Sequence, residues 1–236
     1  MRKKLPLNAF LLRLLALALM LLDHLWATVV PGNDWMTFLG RLAFPIFAFQ
    51  IAEGYFHTSN FKRYAMRLMA FALISEIPFN LFFASSAFYP FHQNVMFTLL
   101  LGLVGLRAYD RARQGENRVK ALILILLVTA AGGLGMTDYG ASGVLTVIAF
   151  GALRHTRWEK PGQAAAMILL HWVLAEGRVF PLGGMELPQQ ALAILALVPI
   201  WLYNGEKGTG SKAVQIGSYV FYPVHMLVLH LLRTFG

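Results

Sequence analysis

Cysteine is absent from this 236-residue chain, and charged residues are scarce. Without cysteine the chain has no disulfide bond, no thiolate metal ligand and no thiol nucleophile. Asp, Glu, Lys and Arg together make up 13% of the residues, whereas a soluble domain has about 25%. The composition therefore excludes covalent cysteine catalysis and argues against a soluble globular domain.

Long apolar blocks take the place of the missing charge. Hydrophobic residues make up 58% of the chain, and the mean hydropathy is +0.60. Most blocks approach the roughly 17 to 25 residues that cross a bilayer as a helix. We predict an all-α fold, a bundle of about nine spanning helices forming one integral membrane domain over residues 1–236. The predicted spans are 7–30, 35–56, 62–84, 93–109, 120–136, 140–153, 162–175, 189–204 and 214–233. Because the fifth and sixth are short and joined by GGLGMTDYG, a re-entrant pair is the alternative there.

The basic residues indicate an orientation. The formal net charge is +9, and nearly all Lys and Arg outside the predicted spans fall on one side of the nine-helix arrangement. Loops rich in Lys and Arg stay cytoplasmic during insertion, which predicts a cytoplasmic N-terminus and a C-terminus outside. Since these residues lie in short loops rather than along one solvated helix or tail, we expect membrane lipid around the protein and no nucleic-acid partner.

The candidates for a functional site are ionisable residues and asparagines that lie inside the predicted spans or at their ends. An ionisable residue inside a span costs about 2.5 to 3.5 kcal/mol on insertion scales, so such residues usually face a protein interior or a pathway. Most are expected in the outer half of the bundle, around one cavity open to the outside. They are Asp23, His24, Arg41, Glu76, Asn80, His92, Asn94, Asp138, His171 and His225. Glu53 and His57 are expected near the inner end of their helix. The alternative for any one of them is a hydrogen bond that joins helices.

Asp23 and His24 stand side by side in the apolar stretch MLLDHLW. Neighbouring residues on a helix point about 100° apart, so the two side chains cannot face one ligand or readily pair with each other. Arg41 is the expected counter-ion for Asp23 or Glu76, because an unpaired charge at that depth is unfavourable. With Arg41 paired to a carboxylate, His24 would be able to change its protonation state.

Motifs for other chemistries are missing or incomplete. GEKGTGSK, at 205–212, resembles a phosphate loop but ends in SK and has no preceding strand. HExxH does not occur, and the histidines are spread over separate predicted helices. We therefore predict no metal site.

Four blocks resemble the TraX family, named for the membrane protein that N-acetylates conjugative pilin. They are MLLDHLW at 20–26, GRLAFPIFAFQIAEGYFHTSNFKRYAMRLMAFALISEIPFNLFF at 40–83, HQNVMFTLLLGL at 92–103 and TDYGASGVL at 137–145. The resemblance implies an integral membrane acetyltransferase of the bacterial inner membrane that uses acetyl-CoA as its donor. The family's motifs fall on Asp23, His24, Arg41, Glu53, His57, Glu76, Asn80, His92, Asn94 and Asp138. The resemblance does not identify the acceptor, because members of the family occur apart from any pilus system. An amine, a hydroxyl compound or a peptide N-terminus would fit as the acceptor.

Acetyl transfer from a thioester needs a base near neutral pH and a donor for the developing oxyanion. We expect His24 to be the base, with Asp23 or Glu76 orienting it and Arg41 or Asn94 serving the carbonyl oxygen. Substrate-binding or oxyanion roles are also assigned to Glu53, Asn80, His92, Asp138 and His225. Lys62 and Arg63 are expected to bind the phosphates of acetyl-CoA. Without cysteine or a serine elbow, the acceptor should attack directly. The alternatives from other classes are a proton-coupled transporter or channel, which also uses buried Asp, Glu and His, and a scaffold.

Overall fold

The computed structural model describes residues 5–174, 177–182, 185–209 and 212–235. Within those ranges the fold is all-α apart from one short β-hairpin, as predicted. The chain forms two compact units, residues 1–50 with 167–236 (unit 1) and residues 51–166 (unit 2). The single domain over residues 1–236 stays a prediction, because compactness alone does not show that a unit folds independently.

Unit 1 contains both ends of the described chain. Its helices are α1 (Ala9–Thr28), α2 (Asp34–Gly40), the first part of α3 (Ala43–His57), α9 (Leu197–Trp201) and α10 (Lys212–Phe235). A π-helical turn (Leu169–Val173), an antiparallel hairpin of β1 (Val179–Leu182) and β2 (Met185–Pro188), and a 3₁₀ helix (Gln189–Ala196) lie between them. α1 packs against both α2 and α10, which brings the polar residues of these three helices within reach of one another.

Unit 2 contains the rest of α3, α4 (Phe61–Ala84), α5 (Val95–Arg113), α6 (Arg118–Leu134), α7 (Gly140–Leu153) and most of α8 (Glu159–Ile168). Asparagine begins three of these helices: the side chains of Asn60, Asn94 and Asn117 each accept a hydrogen bond from a backbone N–H of the first turn. Such N-caps satisfy donors that a helix leaves unpaired. α5, α6 and α7 pack on one another, and α5 approaches α7 so closely that a β carbon at Gly102 would lie 2.6 Å from Val147 Cβ. Close packing through small residues is typical of helix contacts in membranes.

The positions of the predicted helices are confirmed, and α7 has the predicted bounds. The count of nine spans is not supported. In the part of the chain that the structure describes, three helical stretches are long and apolar enough to cross a membrane, namely Ala9–Thr28, Asp34–His57 and Phe61–Ala84. α7 has 14 residues and reaches about 21 Å at 1.5 Å per residue, short of the hydrocarbon core of about 30 Å. α5 is long enough, but its last turns carry Arg107, Asp110, Arg111 and Arg113.

Three predicted spans also differ in their internal geometry. The span at 35–56 breaks at residues 41 and 42 into α2 and α3, so Pro45 lies in the first turn of α3, where a missing N–H costs little. The span at 162–175 changes from α8 to the π turn, and the span at 189–204 begins as a 3₁₀ helix. Apolar composition predicted a helix in each place but did not distinguish the hydrogen-bonding pattern.

Candidate functional site

Asp23, on α1, accepts hydrogen bonds from two side chains near the end of α2. One donor is the Thr37 hydroxyl at 2.6 Å, and the other is the Arg41 guanidinium, which forms an ion pair with the carboxylate. The side chains of Asp23 and Arg41 are 14% and 22% exposed. Arg41 is therefore confirmed as the counter-ion of Asp23, and the Asp23 carboxylate accepts hydrogen bonds from both Arg41 and Thr37.

Gly40 allows this ion pair to form. α2 ends at Gly40, and a β carbon there would lie 2.8 Å from Asp23 Cγ. A β carbon closer than 3.0 Å to another heavy atom forces the backbone or a side chain to shift. Glycine at this position therefore lets α2 approach α1 closely enough for Arg41 to meet Asp23.

His24 pairs with His225 of α10. The two side chains share a hydrogen bond of 2.7 Å between His24 Nδ1 and His225 Nε2, and their ring planes differ by 3°. His225 Nδ1 lies 2.7 Å from the carbonyl oxygen of Phe221, one turn earlier on the same helix. His225 is 6% exposed. As expected from the geometry of a helix, Asp23 and His24 have separate partners.

The surroundings of His225 fix the tautomer of His24. A carbonyl oxygen only accepts, so His225 Nδ1 must carry the proton in their hydrogen bond. In neutral His225, Nε2 is then an acceptor, and His24 Nδ1 must donate to it. The basic lone pair of His24 consequently lies on Nε2. This is the arrangement that a general base needs, with one ring nitrogen oriented by a neighbour and the other able to take a proton.

Two glutamines that are not among the predicted site residues complete this cluster. Gln189 Nε2 donates to Thr37 Oγ1 at 2.8 Å, and Gln190 Oε1 accepts from Arg41 at 3.4 Å. Gln190 Nε2 also lies 3.3 Å from His171 Nδ1. The only sequence signal was a QQ pair opening the apolar run QQALAILAL. We call Asp23, His24, Thr37, Arg41, His171, Gln189, Gln190 and His225 the unit 1 cluster.

Glu76 and Asn94 meet in unit 2, at the beginning of α5. Asn94 is fully buried, and its side-chain amide donates to Glu76 Oε2 at 2.5 Å and to the Ala72 carbonyl at 2.9 Å. Its side-chain oxygen caps the helix by accepting from Met96 N. A carboxylate near a helix N-terminus is stabilised by the helix dipole. The arrangement therefore has an evident structural role at the start of α5.

His92 and Asp138 form a second contact near this point. His92 Nε2 lies 3.6 Å from Asp138 Oδ1, and the rings of Phe79 and Phe83 lie beside the imidazole, with centroids 5.4 and 4.5 Å away. The Thr98 hydroxyl donates to the backbone carbonyl of Asp138. Both ionisable side chains are about one third exposed, at 31% and 35%.

Glu53 and Asn80 also lie in unit 2 but outside these two contacts. The Glu53 carboxylate accepts from Arg154 at 2.5 and 3.3 Å, and His57 is 3.9 Å from the same group. Asn80 is 3% exposed, and its Oδ1 has no hydrogen-bond partner among the described residues.

The family model described as TraX protein matches residues 9–233. The chain belongs to the TraX family. The match includes every residue of the unit 1 cluster and of the contacts in unit 2.

Three relatives match this TraX-family chain over nearly all of its residues. It is 30% identical to a Dichelobacter nodosus protein named probable fimbrial assembly protein FimC, serogroup H1, with 97% of each chain covered. It is 26% identical to Protein TraX of Escherichia coli and to Protein TraX of Escherichia coli strain K12, with 94% of this chain and 86% of each relative covered. No solved structure matches the chain significantly.

The predicted site residues of this TraX-family chain divide between the two units. Asp23, His24, Arg41 and His225 lie in unit 1, and Glu53, Glu76, Asn80, His92, Asn94 and Asp138 lie in unit 2. Their shared cavity therefore stays a prediction. Within the described ranges no group of three or more His, Cys, Asp or Glu side chains is placed to hold a metal ion.

Lys62 and Arg63 occupy the first turn of α4, where both are exposed. Beside them the guanidinium of Arg107, on α5, lies 4.1 Å from the ring centroid of Phe61. The end of α5 and the start of α4 thus present basic residues together on one end of unit 2.

Proposed function

We propose that this TraX-family chain is an integral membrane acetyltransferase that moves an acetyl group from acetyl-CoA to an amine or hydroxyl acceptor. The observation that carries the proposal is the His24–His225 pair, in which the Phe221 carbonyl and His225 orient His24 with its basic nitrogen at Nε2. Membership of the TraX family supports the reaction class, since the resemblance implies pilin acetylation.

In the proposed reaction the acceptor's nitrogen or oxygen attacks the thioester carbonyl carbon. His24 Nε2 takes the proton from the attacking atom as the new bond to carbon forms. The carbon–sulfur bond then breaks, and the CoA thiolate leaves and is protonated. No oxidant or reductant is required, and no covalent acyl-enzyme is formed. A positioned base of this kind is worth about 100- to 10,000-fold in rate.

Arg41 is the proposed partner of the thioester oxygen. Negative charge develops on that oxygen during attack, and a guanidinium held in a fixed orientation stabilises it. Asp23 and Gln190 both contact Arg41 and so restrict its position. This assigns Asp23 to the support of Arg41 rather than to the direct orientation of His24.

The remaining assignments follow the residues' surroundings. Exposed Lys62 and Arg63 are proposed to bind the phosphates of acetyl-CoA. Glu53, Glu76, Asn80, His92, Asn94 and Asp138 remain proposed substrate-binding residues in unit 2. The fimbrial name of one relative favours a peptide N-terminus, such as that of a fimbrial subunit, as the acceptor.

The proposed location is the bacterial inner membrane, with the N-terminus in the cytoplasm and the C-terminus outside. Arg2, Lys3 and Lys4 precede the first apolar helix, and Lys62 and Arg63 separate the second and third apolar stretches. Both groups then lie on the cytoplasmic side, where Lys and Arg are enriched.

The test is acetyl transfer by the full-length protein purified in detergent. Radiolabelled acetyl-CoA is supplied with a synthetic peptide that has a free N-terminus, and an N-terminally blocked peptide serves as a control for the acceptor atom. The variants are His24→Ala, Asp23→Ala and, as a matched histidine control, His155→Ala, whose side chain is 71% exposed. We expect all four proteins to bind acetyl-CoA and His24→Ala to lose at least about 100-fold in rate.

Near-normal turnover of His24→Ala would eliminate His24 as the base. Failure of the folded wild-type protein to bind acetyl-CoA would overturn the proposed donor, and proton or solute flux in vesicles would then be measured. A trapped acetyl-protein intermediate would contradict direct attack.

A further inference from the structure

Two irregular helices meet beside Arg41. In the π turn, Leu174 N bonds to the Leu169 carbonyl at 2.9 Å, five residues earlier, and the 3₁₀ helix Gln189–Ala196 has eight residues. A π turn is rare and often marks a functional site, and 3₁₀ runs longer than three or four residues are uncommon. The π turn provides buried His171, and the 3₁₀ helix provides Gln189 and Gln190.

The amide of Gln190 can satisfy both neighbours in only one orientation. A guanidinium only donates, so Gln190 Oε1 must face Arg41, as it does at 3.4 Å. The NH₂ group then faces His171 and donates to its Nδ1 at 3.3 Å. Since an NH₂ group cannot accept, His171 Nδ1 must carry a lone pair. His171 is therefore neutral, with its proton on Nε2.

The adjacent glutamine, Gln189, contacts Asp23 through Thr37. Gln189 Nε2 donates to Thr37 Oγ1 at 2.8 Å, and the Thr37 hydroxyl donates to Asp23. Two consecutive residues of the 3₁₀ helix thus support the ion pair: Gln190 contacts Arg41 directly, and Gln189 contacts Asp23 through Thr37. Thr37 is 1% exposed, so the contact through Gln189 is buried.

We propose that Gln190 is the positioning residue for Arg41, and that His171 selects the amide orientation in which Gln190 does so. The consequence for turnover rests on the proposed function, in which Arg41 stabilises the negative charge on the thioester oxygen. The tautomer of His171 does not depend on that function. A purely structural link between helices would require only that Gln190 remain polar and of the same size.

Gln190→Glu separates the two possibilities because it preserves size and polarity. A carboxylate at position 190 still accepts from Arg41 but cannot donate to His171, so His171 Nδ1 must take up a proton to keep its contact. The matched control is Gln114→Glu, the same change at an exposed residue at the end of α5. His171→Gln identifies the His171 signals by their loss.

The first readout is ¹⁵N NMR of histidine-labelled full-length protein in detergent, which distinguishes the protonated from the unprotonated ring nitrogen. We expect His171 to be protonated at Nε2 in the wild type and in Gln114→Glu, and to gain a proton at Nδ1 in Gln190→Glu. Protonation at Nδ1 in the wild type, or an unchanged tautomer in Gln190→Glu, would overturn the proposal.

The second readout is the division between kcat and KM in the acetyl-transfer assay. The added negative charge of Gln190→Glu pairs with Arg41 and draws the guanidinium away from the thioester oxygen, so kcat should fall about 10- to 100-fold, while the KM for acetyl-CoA changes less than twofold. Unchanged kcat would overturn the role of Gln190 toward Arg41. If the wild type shows no turnover, the proposed function fails, and the NMR readout still decides the assignment of Gln190 and His171.

Discussion

The most informative single residue is His225, because its hydrogen bonds determine what His24 can do. Its Nδ1–H donates to the Phe221 carbonyl, so its Nε2 accepts from His24 Nδ1. A histidine ring that acts as a base usually has its other nitrogen held by a hydrogen bond. Here that bond comes from a second histidine and not from a carboxylate.

Replacement of His225 should therefore reduce activity without abolishing it. We expect His225→Ala to lower kcat of acetyl transfer about 10- to 100-fold, less than His24→Ala, because the proposed base, His24, remains but loses its orientation. His225→Gln, whose side-chain oxygen can accept from His24 Nδ1, should recover part of the loss. Wild-type kcat in His225→Ala would show that the pair does not orient the base.

The ion pair of Asp23 and Arg41 should also matter for stability. Removal of one partner leaves a charge that is largely shielded from water, a change that costs about 3 to 5 kcal/mol when burial is complete. We expect Asp23→Ala and Arg41→Ala to destabilise the protein and the double variant to lose less than the sum. The measurement is a double-mutant cycle from denaturant titrations in detergent.

The matched control for that cycle is the pair of Arg111 and Glu116, which is 3.3 Å apart with side chains 50% and 56% exposed. Exposed pairs typically contribute about 0.2 to 1 kcal/mol. Equal coupling energies in the two cycles would mean that burial adds nothing to the Asp23–Arg41 pair.

At the level of elements, the contact between α1 and α2 determines whether the unit 1 cluster can form. Glycine at the end of α2 leaves space for Asp23. The same contact places Thr37 and Arg41 on either side of the carboxylate. The two helices must therefore stay at this separation for Asp23 to reach both donors.

Gly40→Ala tests this separation. The added methyl group should clash with Asp23, move α1 and α2 apart and weaken the ion pair. We expect a loss of about 1 to 3 kcal/mol of stability and a lower kcat of acetyl transfer. Gly217→Ala in α10 is the control, because a β carbon there meets no atom within 4 Å. It should be neutral or stabilising. A Gly40→Ala protein with wild-type stability and kcat would contradict the importance of the close contact.

For the whole molecule, the absence of cysteine makes the proposed orientation measurable. A single introduced cysteine is the only thiol in the protein, so a membrane-impermeant maleimide reports its side of the membrane. Ser59→Cys lies between α3 and α4, and Ala87→Cys lies between α4 and α5; both positions are exposed.

In intact cells we expect Ala87→Cys to react with the reagent and Ser59→Cys to react only after the membrane is opened. The reason is the proposed cytoplasmic placement of Lys62 and Arg63, since Ser59 lies close to them in the chain. Reaction of Ser59→Cys in intact cells would reverse the proposed orientation.

Much of the fold was predictable because hydrophobic blocks are a local signal. The positions of the helices, the all-α class and the family resemblance are readable from residues close together in the chain. The number of spans was not, because two predicted spans are not continuous α-helices. The span at 162–175 changes from α8 to the π turn, and the span at 189–204 begins as a 3₁₀ helix. Average hydropathy does not distinguish these hydrogen-bonding patterns.

The sequence by itself determined which ionisable residues lie in apolar helices and that Asp23 and His24 could not share one partner. Only the tertiary structure decided the partners: Arg41 for Asp23, His225 for His24, and Gln190 between Arg41 and His171. His24 and His225 are 201 positions apart, and Arg41 and Gln190 are 149 apart. Helical periodicity specifies the direction of a side chain within one helix. Pairs this distant in the chain depend on how the helices pack, and that packing determines the tautomer of His24.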